Sequence, residues 1–130
     1  MKQEFSYFEK DAQWFPIVEV ALKRGDKEIT VKALIDSGAS FSVFRPEVAE
    51  YLGIKIERGK RIYLTGIGGR ILGYRHAVSL TSGGHTFLCK MVFSPEFTVS
   101  FNLLGMNNFF EPFVISFCEK RRKVLINRDH

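Results

Sequence analysis

Two cysteines among 130 residues are too few to staple a small domain, and both stand in apolar segments. Cys89 lies in Phe87-Leu88-Cys89-Lys90-Met91-Val92-Phe93 and Cys118 ends Val114-Ile115-Ser116-Phe117-Cys118, so both are expected as free, buried thiols and a disulfide scaffold is excluded. No apolar run approaches the roughly 20 residues that span a bilayer, and no basic-then-apolar leader opens the chain. No membrane association is expected, and a cytoplasmic location is. Histidine is scarce as well, with 3 in the chain. His76, His85 and Cys89 are the candidate metal ligands. His85 and Cys89 sit about 13 Å apart along a strand rising roughly 3.3 Å per residue, too far to share one zinc ion. Neither a metal nor another cofactor is expected. Acids are outnumbered, 14 Asp and Glu against 19 Lys and Arg, and a net charge of +5 favours acidic partners. Part of that excess is the run Lys120-Arg121-Arg122-Lys123. It stands between two apolar strand-like stretches and has no aromatics interleaved, so it reads as a solvated hairpin tip, and nucleic acid is not expected as a partner.

Apolar material is ample. Hydrophobic residues make up 45% of the chain and Phe alone contributes 13, which excludes the disordered class. At this length one domain with one core is expected, burying roughly two-thirds of the surface of the unfolded chain. Met1 to Gln13 is polar and without a period, and reads as an arm that ends at Trp14-Phe15-Pro16. The expected division is an arm over 1–15 and one domain over 16–130. Ile17 to Leu22 is β-prone, Arg24-Gly25-Asp26-Lys27 makes a turn, and Glu28 to Ile35 alternates before becoming wholly apolar, a hairpin whose second strand enters the core.

That strand runs straight into Asp36-Ser37-Gly38-Ala39-Ser40. A carboxylate at the end of a buried strand costs free energy unless hydrogen bonds or a partner compensate it. Gly38 lets the backbone turn under the acid and bring amides to it. This is how a catalytic carboxylate is presented, and it is equally how an Asx turn closes a strand; the tripeptide alone leaves both open. Next, Phe41-Ser42-Val43-Phe44 is strand-like, and Pro46 to Gly53 carries Pro in a first turn, acids early and Gly as a stop, one short helix. Strand character resumes over Ile54 to Tyr63.

Four glycines then crowd Gly66-Ile67-Gly68-Gly69-Arg70-Ile71-Leu72-Gly73. The segment lacks the third glycine of a dinucleotide fingerprint, and no helix pattern follows it, so it is not a phosphate cradle. It reads as a hairpin whose tip is either a plain turn or a lid, and as a lid the tip is expected to be the most mobile internal segment. Tyr74 to Leu80 and His85 to Phe93 form a further hairpin through Thr81-Ser82-Gly83-Gly84. Val99 to Leu104 is another apolar strand that enters Gly105 and a short helical piece, and Phe113 to Cys118 and Lys123 to Asn127 close the chain as a last hairpin. The chain is mostly β with one or two short helices.

Three segments stand in a telling order: Leu34-Ile35-Asp36-Ser37-Gly38-Ala39, the glycine-rich hairpin Thr65-Gly66-Ile67-Gly68-Gly69, and Leu103-Leu104-Gly105. Over about residues 16 to 127 the chain resembles the retropepsin family, the single-domain aspartic proteases of retroviruses and their bacterial and archaeal relatives. The resemblance implies a closed, orthogonal β-barrel of the acid protease type. It makes Asp36 the catalytic acid and gives Ser37 the role of tying two active-site loops together. Gly38 and Ala39 would complete that loop, and Thr65, Gly66, Ile67, Gly68 and Gly69 would form a substrate-binding flap. Leu103, Leu104 and Gly105 would be the strand that crosses beneath the active site. Two positions depart from the family: Met106 stands where Arg often follows the crossing-strand glycine, and Ser40 where retroviral members place the acid that pairs with it. Both partners are missing together, so no buried charge is left unpaired.

Peptide hydrolysis by carboxylates needs two, one ionised to take a proton from water and one protonated to polarise the carbonyl. The chain has a single Asp-Ser/Thr-Gly, since Asp11, Asp26 and Asp129 precede Ala, Lys and His. A two-lobed monomer is thereby excluded, and the second carboxylate must come from a second copy on a two-fold axis. Two like charges that close cannot both ionise, so the pair would hold one shared proton. The expected function is therefore a homodimeric aspartic endopeptidase acting on a peptide or protein substrate, without cofactor. A non-catalytic module that keeps the fold for dimerisation or peptide capture is the alternative, and a basic nucleic-acid-binding β domain is a third reading.

Overall fold

The computed structural model describes residues 2–66 and 69–129. Twelve strands and one α-helix follow in the order β1 (Lys2–Ser6), β2 (Phe8–Lys10), β3 (Gln13–Phe15), β4 (Ile17–Arg24), β5 (Lys27–Ile35), β6 (Val43–Phe44), α1 (Pro46–Tyr51), β7 (Lys60–Gly66), β8 (Gly69–Ser82), β9 (His85–Phe93), β10 (Asn102–Leu104), β11 (Phe113–Cys118) and β12 (Lys123–Arg128). The larger sheet runs β4-β5-β10-β6-β9-β8-β7, and β4 also pairs with β8, so β4, β5, β10, β6, β9 and β8 close on themselves. This is the mostly β architecture expected from the alternating strands.

The closure works because one long strand serves three partners. β8 pairs with β7 from Gly69 to Arg75, with β9 from Tyr74 to Ser82, and with β4 through Ser79, Leu80 and Thr81. Its inward residues, Val78 and Leu80, meet Val18, Val20 and Leu22 of β4 and Cys89, Met91 and Phe93 of β9 in one core. The β8–β9 turn is Gly83-Gly84 with φ of 59° and 74°, the left-handed pair that a tight hairpin of the right twist requires. Burial pushes the Cys89 thiol up to about 12, so it stays an inert apolar filler.

Helix α1 forms where the sequence indicates, with Pro46 in its first turn. It ends on a Schellman pattern: Gly53, at φ 72°, donates to Glu50 O at 3.1 Å and Ile54 N–H to Ala49 O at 2.9 Å. The strand expected from Ile54 does not begin there. Ile54 is a buried anchor after the cap, and a 3-10 turn over Ile56–Arg58 follows before β7 starts at Lys60. The helix expected after Gly105 is likewise only an irregular turn over Met106–Phe110, interrupted at Asn107 and Asn108, the latter at φ 71°.

The polar N-terminal residues read as an arm are strands. β1 pairs antiparallel with β12, which pairs with β11, a three-stranded sheet whose inner residues Phe113, Val124 and Ile126 join the core. Phe109 and Phe113 (5.4 Å between centroids) and Phe87 against Phe113 (5.7 Å, edge-on) weld this sheet to the ring. Tyr7 N–H donates to Arg122 O at 2.8 Å, and the buried Tyr7 hydroxyl donates to Glu119. Lys120, Arg121 and Arg122 stand in the turn between β11 and β12, Lys123 opens β12, and tertiary contact supplies the aromatic that the local sequence lacks: Arg122 lies 4.2 Å from the Trp14 ring. Cys118, expected buried, is only partly covered, because it sits at the end of β11 beside this turn. Among the described residues no helix is long and apolar enough to cross a membrane.

Candidate active site

β10 organises the site. It lies between β5 and β6, parallel to the first (Leu103↔Leu34, Leu104↔Ile35) and antiparallel to the second (Leu103↔Val43). The connection from β5 to β6, residues 36–42, therefore bulges around the end of β10. Four hydrogen bonds fasten it there: Asp36 N–H to Leu104 O at 3.0 Å, Met106 N–H to Ala39 O at 2.9 Å, Asn107 N–H to Ser40 O at 2.8 Å, and Gly105 N–H to the Ser42 hydroxyl at 3.0 Å. Met106 pairs through its backbone with Ala39, and Ser40 with Asn107, so the two positions that depart from the resembled family lie on adjacent rungs between loop and strand. The loop needs no buried charge to hold its shape.

Gly105 is required by this crossing. A Cβ on it would overlap the Phe41 carbonyl oxygen and lie 2.5 Å from that carbonyl carbon and 2.9 Å from Ala39 O. Only a residue without a side chain lets the loop backbone settle directly on the strand.

Asp36 emerges at the lip of the loop, half-buried, with Ser37, Gly38 and Ser40 exposed beside it and Ala39 partly covered. Gly38 N–H donates to Asp36 Oδ1 at 2.9 Å, and Ala39 N–H to Asp36 O at 3.1 Å, so the turn that closes β5 also aims its carboxylate. Gly38 contributes space rather than a left-handed backbone: a Cβ there would sit 3.2 Å from Asp36 Oδ1. The Asx geometry and the presentation of a carboxylate are one structure, not competing ones.

Thr65 is exposed on the hairpin of β7 and β8, where Thr65 pairs with Arg70 and Gly66 with Gly69; the expectation of a mobile tip spans Gly66 to Gly69, of which Ile67 and Gly68 lie outside the described residues. Arg70 stacks 4.3 Å over the Tyr63 ring near that tip. Lower down, the loop after β9 grips β8: the Ser94 hydroxyl donates to Leu72 O at 2.5 Å, and Leu72 N–H donates to Glu96 Oε2 at 3.2 Å. His76 donates through Nε2 to Ile56 O at 2.8 Å and His85 stacks on Phe87 at 5.4 Å, so both imidazoles have structural partners. Among the described residues no three His, Cys, Asp or Glu side chains gather around one point.

Two residues of the site were not singled out from the sequence. Asn102, buried at the start of β10, accepts from Arg45 N–H at 2.8 Å and donates to Lys32 O at 2.9 Å, fixing the strand to both neighbours. Ser42 is fully buried, and its carbonyl also accepts from Val92 N–H at 2.9 Å. A hydroxyl inside the apolar run Phe41 to Phe44 was the available signal. Ser42→Ala leaves the Gly105 N–H without an acceptor in the interior, and a loss of about 1–3 kcal/mol is expected. Urea denaturation with an unchanged m-value checks it.

A family model described as aspartyl protease matches residues 18–108, from β4 through β10 and the turn after it. A comparison with curated protein sequences finds no match. Among solved structures, a retropepsin-like aspartic protease from Rickettsia conorii superposes with a TM-score of 0.68 over 98% of this chain and 92% of that one, at 17% identity. EIAV protease complexed with the inhibitor HBY-793 gives a TM-score of 0.57 over 75% of this chain and 88% of that one, at 18% identity. Identities this low carry the fold alone, and the fold is retropepsin-like. With the matched interval spanning both the Asp36 loop and the strand that crosses under it, the chain belongs to the aspartyl protease family.

Proposed function

We propose that the chain is an aspartic endopeptidase that works as a homodimer, with Asp36 of each copy facing its twin across a two-fold axis. The observation that carries this reading is the Asp36 carboxylate, aimed by the Gly38 amide at the lip of a rigid loop whose outer residues are exposed. One carboxylate of the pair, ionised, takes a proton from water as its oxygen attacks the scissile carbonyl. The other, protonated, donates to the carbonyl oxygen, and collapse of the tetrahedral adduct delivers a proton to the leaving nitrogen. Ser37 would link the two loops through its hydroxyl. Thr65 to Gly69 would close as a flap over an extended peptide, which pairs with the hairpin strand to strand. No metal or other cofactor enters this chemistry. Two free thiols fit a reducing, cytoplasmic setting.

Incubation with a diverse peptide library from acid to neutral pH, with and without a statine-type inhibitor, tests the reaction, and sedimentation with and without that inhibitor tests the assembly. Inhibitor-sensitive cuts by a dimer are expected. A strict monomer in the presence of ligand overturns the shared site, and dimers that bind peptide without cutting it point instead to a non-catalytic module.

A further inference from the structure

At the opposite end of the β4–β5 hairpin from Asp36, a cavity of about 270 Å³ opens between the end of β4, the connection from α1 to β7, and the middle of β8. Its lining is Arg24, Gly53, Ile54, Lys55, Arg58 and His76, so three permanent cations and an imidazole surround it and no carboxylate lines it. The ion pairs among the described residues, Lys123 with Glu4 and Arg45 with Glu47, involve none of them. Arg24 is moreover opposite another cation, Lys27, in the β4–β5 register. Like charges gathered round one small hollow repel one another, and a bound anion turns that repulsion into attraction. Drug-sized ligands need about 300–1,000 Å³, so the space suits a compact ion better than an extended polymer or a full cofactor.

The hollow is built by backbone constraints rather than by chance placement of long side chains. Gly53 turns the chain at φ 72°, and a Cβ there would meet no atom within 4 Å. The 3-10 turn is pressed onto β8: a Cβ on Gly59 would lie 2.5 Å from His76 Nε2 and 2.6 Å from Arg75 O. His76 Nε2 in turn donates to Ile56 O at 2.8 Å, which fixes the ring, and buried Ile54 anchors the connection. The backbone that carries Lys55 and Arg58 is thereby fixed against the strand that carries His76.

We propose that this cavity binds a compact polyvalent anion of the phosphoryl class, with the forked guanidinium groups of Arg24 and Arg58 as principal donors and Lys55 as a point charge. The site stands apart from the protease reading and survives its failure. Because β8 continues from His76 into the hairpin that ends at Gly69, the anion would tie the root of that hairpin to β4.

Calorimetric and NMR titrations with inorganic pyrophosphate and with O-phosphoserine, against chloride at matched ionic strength, test the proposal. Saturable binding of one anion per chain is expected, with resonance shifts centred on the His76 imidazole and the Arg58 side chain. The exposed pair R24Q/R58Q should weaken it by about tenfold or more, and Lys55→Gln by less, whereas K120Q/R121Q at the distant basic turn should change it by less than about twofold. Tighter binding of pyrophosphate or of O-phosphoserine says whether the phosphoryl group is free or carried, and either upholds the site. Equal shifts with chloride, unchanged affinity in R24Q/R58Q, or shifts centred on residues 120–123 overturn it.

Discussion

Replacing Asp36 by Asn should abolish peptide cleavage, by a factor of about 10³ or more, while the chain still folds and pairs. Asn keeps the shape and the acceptor oxygen, so the Gly38 N–H that now donates to Asp36 Oδ1 at 2.9 Å loses nothing. What disappears is the group that takes a proton from water and gives one back. In the proposed dimer the substitution also removes two carboxylates facing one another, so the variant should be at least as stable as the wild type. Thermal melts of the two proteins across pH, beside a peptide cleavage assay, measure both effects. If Asp36 only closes a turn, there is no cleavage to lose and stability changes by no more than about 0.5 kcal/mol at any pH, because Asn serves an Asx turn well. Undiminished cleavage by the variant removes Asp36 as the catalytic residue.

Gly105→Ala should be strongly destabilising, costing about 3 kcal/mol and taking activity with it. The added carbon meets backbone rather than the yielding end of a side chain: the Phe41 carbonyl and Ala39 O, 2.9 Å away. Relief requires the loop to lift from β10, which stretches the Met106-to-Ala39 and Asn107-to-Ser40 hydrogen bonds together and shifts Asp36 with them. Gly38→Ala is the informative contrast. Its Cβ would crowd only Asp36 Oδ1, at 3.2 Å, a side-chain atom that rotates away at little cost in stability but at the expense of the carboxylate's aim. Chemical denaturation and cleavage rates for both variants should therefore separate: stability and activity fall together at 105, and activity falls well ahead of stability at 38. Equal, small stability losses at the two positions would show that β10 does not press on the loop.

The elements that the sequence alone specifies are those built from neighbours. The alternation of Glu28 to Ile35 and the turn at Gly25 define the β4–β5 hairpin, Pro46 and Gly53 bracket α1, and Gly83-Gly84 joins β8 to β9, because period, capping and positive φ act within a few residues. Asp36-Ser37-Gly38 was legible as a presented carboxylate for the same reason: strand, acid and turn are contiguous. The tertiary structure alone decided that β10 runs parallel to β5 and antiparallel to β6, and so what Gly105, Ser42 and Asn102 are for. It alone turned residues 2–6 into a strand, since their partner lies more than a hundred residues away in β12 and their own alternation is faint beside the charges. It alone denied Ile54 to Arg58 a strand by giving them a buried anchor and no ladder partner, and it alone drew Arg24, Lys55, Arg58 and His76 around one hollow. Local propensity acts along a few residues of chain, whereas burial and pairing are set by whichever distant segments the closed sheet brings together.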